Sequence, residues 1–221
     1  MHDIILEFKD VSFAYTESKP LFKEMSISFE KARFYIIKGA SGCGKSTFLR
    51  LINRLEEPFL GEIHFKGRPV TGYDPPLLRR SILYVQQVPQ VVDLSVRDNL
   101  LLPFSFQGNK NIPRPDDQRM QSLMERMLLR DVNLDESAKT LSTGQQQRIC
   151  LIRGLLLAPD VVLLDEPTSA LDADSCLMVQ EMAENLCREQ GITVLMVSHR
   201  GPEMCSLDPV LMMIEKGKIF Q

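Results

Sequence analysis

Apolar residues recur along the chain at spacings that predict β-strands. Apolar residues interspersed with polar ones, a pattern typical of a half-buried strand, cover 4–8, 11–15, 25–29 and 61–65. Continuous apolar runs, which are typical of strands buried on both faces, cover 34–37, 81–85, 161–164 and 192–197. The segments 210–214 and 219–220 flank a Lys-Gly turn and predict a closing hairpin. Antiparallel strands in the first third are therefore followed by buried strands.

Helical segments are predicted between the buried strands. They cover 48–52, a start at Ser95, 146–153 and onward, and 173–189. Five apolar residues recur at helical spacing and predict a core-facing stripe: Met120, Leu123, Met124, Met127 and Leu128. No linker separates independent units, so we predict one domain over 1–221 with a helical insertion at approximately 88–140.

Composition narrows the class of protein. The 221 residues are 44% hydrophobic and 25% charged, which is ordinary for a globular protein with a sizeable core. The net charge of −3 gives no electrostatic reason to expect nucleic-acid binding. No apolar run approaches the length of a membrane span, and the N-terminus lacks a signal-peptide layout. We expect the chain to be cytosolic. If it serves a membrane function, we expect another subunit to hold it at the membrane.

One glycine-rich segment carries the clearest chemistry. It reads Gly39-Ala40-Ser41-Gly42-Cys43-Gly44-Lys45-Ser46-Thr47 and matches the P-loop spacing G-x-x-x-x-G-K-[ST]. Successive backbone N–H groups and the start of the following helix would hold phosphate oxygens, with Lys45 at the β- and γ-phosphates and Ser46 at Mg²⁺. The alternative is a glycine-rich turn before a helix. We also expect the Cys43 thiol to be reactive because it lies beside the phosphates.

Other polar residues follow predicted strands or begin helices. Asp165 and Glu166 end a buried strand, which suits one carboxylate for Mg²⁺ and one for a water. His199 ends the next strand at the same sheet edge, although a lone histidine there is usually structural. The segment 141–145 begins a predicted helix. It could bind an anion there, or it could act only as a helix cap. Tyr15 could stack on a base or be a half-exposed strand residue.

Together these motifs resemble the ATP-binding subunit of an ABC transporter, and the resemblance covers essentially the whole chain. In family order the matches are Tyr15 for the adenine-stacking aromatic, 39–47 for Walker A, Gln87 for the Q-loop, 141–145 for the signature, 161–166 for Walker B, 169–172 for the D-loop and His199 for the switch histidine. The signature discriminates, because other P-loop families lack it. Within the family, the stretches 98–103 and 147–153 resemble the ATPase subunit of a bacterial iron-exporter pair.

One signature residue departs from the family pattern. Thr143 stands where a glycine is usual. A β-branched residue cannot adopt a positive φ cheaply, so either this position has ordinary backbone angles or the signature is weakened. We favour ordinary angles, because Ser142, Gly144 and Gln145 are retained.

The resemblance implies an α/β fold: a P-loop NTPase core with a mostly parallel sheet, an N-terminal antiparallel β subdomain and a helical insertion subdomain. It implies a head-to-tail homodimer with two ATP molecules at the interface. Each site would combine one subunit's Walker motifs with Ser142, Gly144 and Gln145 of the other. Asp172 would link the two sites.

The same resemblance implies roles in ATP hydrolysis. Glu166 would be the general base, Lys45 would neutralise developing charge, and His199 would contact the γ-phosphate. Mg²⁺ would be bound by Ser46, Gln87 and Asp165. The alternatives are a non-transport ABC-type ATPase and a P-loop small-molecule kinase.

The implied partner is a transmembrane permease in a separate chain, which would hold this subunit at the cytoplasmic face of the membrane. The permease would also determine the transported substrate. In the resembling family, short permease helices dock in a groove beside the Q-loop. The apolar residues available here are Val88, Val91, Val92, Leu94, Phe104 and Phe106. We expect at least half of them to pack inside the lobe, and Val91 or Val92 to lie exposed in the groove.

Overall fold

The computed structural model describes residues 3–16, 19–167, 173–198 and 209–221. Its strands are β1 (Ile4–Phe13), β2 (Phe22–Glu30), β3 (Phe34–Lys38), β4 (Leu60–Phe65), β5 (Arg68–Pro69), β6 (Ile82–Val85), β7 (Val161–Asp165), β8 (Thr193–Val197), β9 (Val210–Glu215) and β10 (Lys218–Phe220). Its α-helices are α1 (Lys45–Ile52), α2 (Pro75–Ser81), α3 (Val96–Leu101), α4 (Asp117–Arg126), α5 (Thr143–Leu155) and α6 (Ala173–Gln190).

The strands form two sheets of different character. The six-stranded sheet has the order β10-β9-β3-β8-β7-β6, in which only the β10–β9 pair is antiparallel. The four-stranded sheet has the order β2-β1-β4-β5, and every pair in it is antiparallel. The predicted mostly parallel core with an N-terminal antiparallel subdomain is therefore confirmed.

The first strand differs from the prediction of two short strands. A single strand runs from Ile4 to Phe13, and its pairing with β2 shifts register between Phe8 and Val11. Asp10 has a φ of 51° at this irregularity. Its N–H donates to Ser26 Oγ at 2.9 Å, and that hydroxyl donates back to Asp10 Oδ1 at 2.8 Å. The polar pair at 9–10 therefore makes a bulge rather than a strand boundary.

Two hydrophobic clusters lie on opposite faces of the large sheet. Along β7, Val161 and Leu163 join the cluster that also holds α1 and the antiparallel sheet, whereas Val162 and Leu164 join the cluster with α5 and the insertion. Successive strand residues point to opposite faces, so Asp165 continues the α1 face. The end of β7 thereby presents its carboxylate towards α1.

The insertion is helical, as predicted, and contains α3 and α4. Ser95 caps α3, since its side chain accepts a hydrogen bond from the Asp98 N–H. Four residues of the predicted stripe are buried: Met120, Leu123, Met124 and Met127. The prediction is wrong for Leu128, which is exposed because α4 ends at Arg126 and Leu128 has a φ of 52°.

Candidate nucleotide site

The P-loop joins β3 to α1 in a tight turn. Gly42 and Gly44 have φ values of 76° and 104°, which glycine adopts without a steric penalty. A Cβ on Gly39 would lie 2.6 Å from Cys43 Sγ and 2.6 Å from the Ile214 carbonyl oxygen. Gly44 is the N-cap of α1, so the loop delivers the backbone directly into the N-terminus of a helix. This geometry favours an anion at the loop.

Lys45 is buried at this helix start and is 5% exposed. Its Nζ donates to the carbonyl oxygens of Gly39 at 3.0 Å and Ala40 at 3.1 Å. Within the described ranges these carbonyls, rather than a carboxylate, hold the ammonium. Lys45 lines a cavity of about 360 Å³, and Ser41, Ser46 and Glu166 line it as well. A buried cation beside a cavity favours a negatively charged ligand.

Ser46, which lines this cavity, contacts the buried Asp165. The Ser46 hydroxyl donates to Asp165 Oδ1 at 2.9 Å, and the Tyr84 hydroxyl donates to Oδ2 at 2.7 Å. Burial, reinforced by the bond to Asp165, raises the pKa of Tyr84 to about 12, so this hydroxyl keeps its proton at neutral pH. A hydroxyl and a carboxylate are hard oxygen ligands, and this pair fits Mg²⁺.

Glu166 and Gln87 lie together beside the same cavity. Gln87 Nε2 donates to Glu166 Oε2 at 3.1 Å. Glu166 has a φ of 48°, a left-handed conformation that is uncommon for a residue other than glycine and that concentrates at functional sites. The predicted general base, Glu166, and the predicted Q-loop residue, Gln87, are therefore in contact.

Tyr15 lies just beyond β1 and presents an exposed ring. It is 58% exposed, its ring meets Phe13 edge-on at 4.9 Å, and its hydroxyl shares a 2.9 Å hydrogen bond with Thr47 Oγ1. This bond fixes the ring beside the P-loop. An exposed aromatic face held there suits stacking on a base.

The predicted signature begins α5 with a complete capping box. Ser142 Oγ accepts from the Gln145 N–H at 3.3 Å, and Gln145 Oε1 accepts from the Ser142 N–H at 2.9 Å. The helix begins at Thr143, earlier than the predicted 146, and Thr143 does not have a positive φ. Ordinary angles at Thr143 are thus confirmed. Among the described residues that line the P-loop cavity, none belongs to 141–145.

A groove of about 570 Å³ runs along the edge strand β6 and the segment that follows it. Val88 and Phe106 line it and are exposed, and Val88 is 64% exposed. Val91 is only 9% exposed, whereas Val92 is exposed, but neither lines the groove. The expectation that Val91 or Val92 lies exposed in the groove is therefore wrong. The reason is buried Asn99, which bonds both the N–H of Val92 at 2.9 Å and its carbonyl at 3.1 Å and so turns Val91 inwards.

At least half of the six apolar residues singled out in this region were expected to pack inside the lobe. Val91 and Phe104 do, but four of the six are exposed: Val88, Val92, Leu94 and Phe106. That expectation is therefore wrong, and of the four exposed residues only Val88 and Phe106 line the groove.

Some predicted residues lie outside the described ranges, and others were missed. His199, Asp172 and the remainder of the predicted D-loop, 169–171, fall outside them. Tyr84 was missed as a partner of Asp165, although its period-two position in a strand preceding the Q-loop could have suggested it. Gln147 was missed too. Its Nε2 donates to the Gln86 carbonyl at 3.0 Å, and no local pattern indicates that contact.

A glycine-rich phosphate loop, a facing carboxylate pair and a mostly parallel sheet define the class as a P-loop ATPase. The ABC transporter family model matches residues 22–169. The "Probable iron export ATP-binding protein FetA" of Escherichia coli K12 is 35% identical over 94% of this chain and 90% of the relative. The "Carnitine transport ATP-binding protein OpuCA" of Listeria monocytogenes is 33% identical over 98% of this chain, which spans about half of that relative, 54%.

Among solved structures, the chain is similar to CbiO1 of Clostridium perfringens, which is described as part of the ABC transporter complex CbiONQ. The two structures superpose with a TM-score of 0.84 at 25% sequence identity. The match covers 99% of this chain and 88% of that one. The chain belongs to the ABC transporter family. It is an ATP-binding, ATP-hydrolysing subunit that powers a transporter, which the comparisons favour over a small-molecule kinase. Within the described residues, no helix is both long and apolar enough to cross a bilayer.

Proposed function

We propose that one molecule of Mg-ATP binds with its phosphates on residues 39–47 and its base on Tyr15. The carrying observation is the buried ammonium of Lys45, held by two carbonyls at the wall of a cavity. In this proposal Lys45 donates to the β- and γ-phosphates and offsets charge that develops during hydrolysis. Ser46 and Asp165 hold Mg²⁺, with Gln87 as a further ligand. Bound Mg²⁺ neutralises charge on the phosphates.

Glu166 is proposed as the general base. Its carboxylate lines the cavity beside the P-loop and would accept a proton from the attacking water. Gln87 bonds that carboxylate and would orient both it and the water. His199 is proposed to contact the γ-phosphate and Asp172 to link paired sites, on the strength of the family resemblance alone.

We propose that two copies close head to tail around two ATP molecules. The capping box at Ser142 and Gln145 uses the N-cap groups to start α5 and aligns the first turn of a long helix. The partially positive end of this helix would meet the γ-phosphate bound by the other copy, together with Gly144. Because each half-site is incomplete without the other, ATP would favour the closed dimer and hydrolysis would release it.

The proposed membrane partner is a permease subunit that docks in the groove beside β6. Exposed Val88 and Phe106 supply an apolar surface there, larger than a free surface loop needs. The relatives' names specify different substrates, iron and carnitine, although each names an ATP-binding protein, so we assign substrate choice to the permease. Docking would hold this chain at the cytoplasmic face of the membrane.

The test is Glu166→Gln in the purified subunit. We expect ATP binding to be retained, hydrolysis to fall roughly 10²–10⁴-fold, the usual contribution of a positioned base, and an Mg-ATP-dependent dimer to accumulate on size exclusion. Lys45→Ala is the matched variant, since it should weaken ATP binding and give no dimer.

Two outcomes would contradict the proposal. Near-normal hydrolysis by Lys45→Ala would remove the P-loop assignment. A Glu166→Gln protein that stays monomeric at high protein and Mg-ATP concentration would count against the closed dimer while leaving nucleotide binding intact.

A further inference from the structure

Tyr84 occupies the edge strand β6 on the same face as α1. Ile82 and Tyr84 contact the cluster that holds α1, whereas Leu83 and Val85 contact the opposite one. In the parallel ladder Tyr84 pairs with Leu163, two residues before Asp165 on β7. The ring therefore spans from β6 towards the end of β7. Its hydroxyl reaches Asp165 Oδ2 at 2.7 Å.

The direction of this hydrogen bond follows from the chemistry of its two groups. A carboxylate only accepts, so the Tyr84 hydroxyl donates its single proton to Asp165 Oδ2. A phenylalanine at position 84 would leave Oδ2 without that donor.

Both oxygens of the Asp165 carboxylate are thus engaged by different side chains. Oδ1 accepts from Ser46 and Oδ2 accepts from Tyr84. A carboxylate held at one oxygen can rotate about its final bond, whereas one held at both is fixed in orientation. Asp165 is itself buried, so no bulk water replaces a lost donor at low cost.

We propose that Tyr84 is a positioning residue that fixes the Asp165 carboxylate in the orientation required to bind the nucleotide's divalent cation. This inference rests on the proposed function and extends it to a residue outside the P-loop, Walker B and Q-loop motifs. In this proposal Tyr84 acts on Asp165 and contacts neither ATP nor the cation.

The inference predicts a loss of cation affinity without a loss of nucleotide affinity. Partners of metal ligands typically contribute 10–100-fold in metal affinity, so we expect Tyr84→Phe to weaken Mn²⁺ binding to the protein–ADP complex by about 10-fold or more. Electron paramagnetic resonance of free Mn²⁺ measures this affinity directly. ADP binding in the presence of a chelator should remain within twofold of the wild type.

The control variant removes the hydroxyl of a different tyrosine, Tyr73. Tyr73 donates to the Phe65 carbonyl at 2.8 Å in the antiparallel region, so Tyr73→Phe should leave Mn²⁺ affinity unchanged. Tyr84→Leu also removes the hydroxyl that donates to Asp165, so it should lower Mn²⁺ affinity as well. This second variant serves if Tyr84→Phe folds poorly.

The inference is overturned if Tyr84→Phe, or Tyr84→Leu where only that variant folds, binds Mn²⁺ within twofold of the wild type. It is also overturned if metal-free ADP affinity falls as much as Mn²⁺ affinity, since Tyr84 would then act through the general fold. Failure of the wild type itself to bind Mn²⁺ with ADP would instead refute the proposed nucleotide site, and this inference with it.

Discussion

The aromatic contact between α1 and the antiparallel sheet is a specific point at which stability can be tested. Phe48 is 0% exposed and follows the P-loop directly. Its ring stacks on Phe8 at 4.9 Å with an interplanar angle of 13°, and lies 6.0 Å from Phe29 and 6.4 Å from Phe22. These rings hold the helix that carries Lys45 and Ser46 against the first sheet.

The size of the effect follows from those contacts. Phe48→Ala would cost about 3–5 kcal/mol as a buried aromatic replaced by a small residue, a large share of a typical folding stability of about 5–15 kcal/mol. Phe48→Leu keeps most of the apolar volume and loses three ring pairs, each of which contributes about 0.5–1.5 kcal/mol without full additivity, so we expect a loss of about 2–3 kcal/mol. Phe48→Leu is therefore the usable variant.

Equilibrium unfolding in urea, followed by far-ultraviolet circular dichroism, measures this loss, because the chain contains no tryptophan. Mg-ATP at about 100 times its dissociation constant should add back about 2.7 kcal/mol, since it binds only the folded state. Phe59 is 65% exposed, and Phe59→Leu should change the free energy of unfolding by no more than about 0.5 kcal/mol. Equal small losses from Phe48→Leu and Phe59→Leu would refute the idea that this cluster anchors the P-loop helix.

Two further predictions concern thiols and the groove. Cys43 should be alkylated faster than Cys187, because burial raises the pKa of Cys187 to about 12. Mg-ATP should protect Cys43, because this residue lies in the P-loop. Mass-spectrometric labelling that shows equal rates with and without nucleotide would contradict this. A cysteine at exposed Val88 should cross-link to a co-expressed membrane subunit whereas one at buried Val91 should not, and a cross-link at Val91 alone would place docking elsewhere.

The sequence predicts most strongly where a local pattern and a chemical requirement coincide. The continuous apolar run before Asp165 predicts a buried strand, and the strand's end delivers the carboxylate to the P-loop as expected. The spacing of Gly39, Gly44 and Lys45 similarly predicts a loop that enters a helix. In both cases neighbouring residues determine the local element, and the order of the parallel strands brings the two elements together.

Prediction fails where a distant residue determines the conformation. Val91 is turned inwards by Asn99, whose amide bonds the backbone of Val92, and no property of the 88–94 segment indicates that bond. Tyr84 and Asp165 are 81 positions apart, and their contact depends on the pairing of β6 with β7. The bulge at Asp10 depends likewise on Ser26 in the neighbouring strand.

The segment after β6 connects the proposed catalytic carboxylate, the signature helix and the groove. Gln87 bonds Glu166, while the preceding carbonyl, that of Gln86, accepts from Gln147, two residues beyond the signature. Gln86 also lines the groove. Because these bonds lie on adjacent residues, a shift of Gln87 towards a bound γ-phosphate must either carry Gln86 with it or break the bond to α5. A subunit docked in the groove would contact that moving backbone directly, so ATP binding and partner docking share one short stretch of chain.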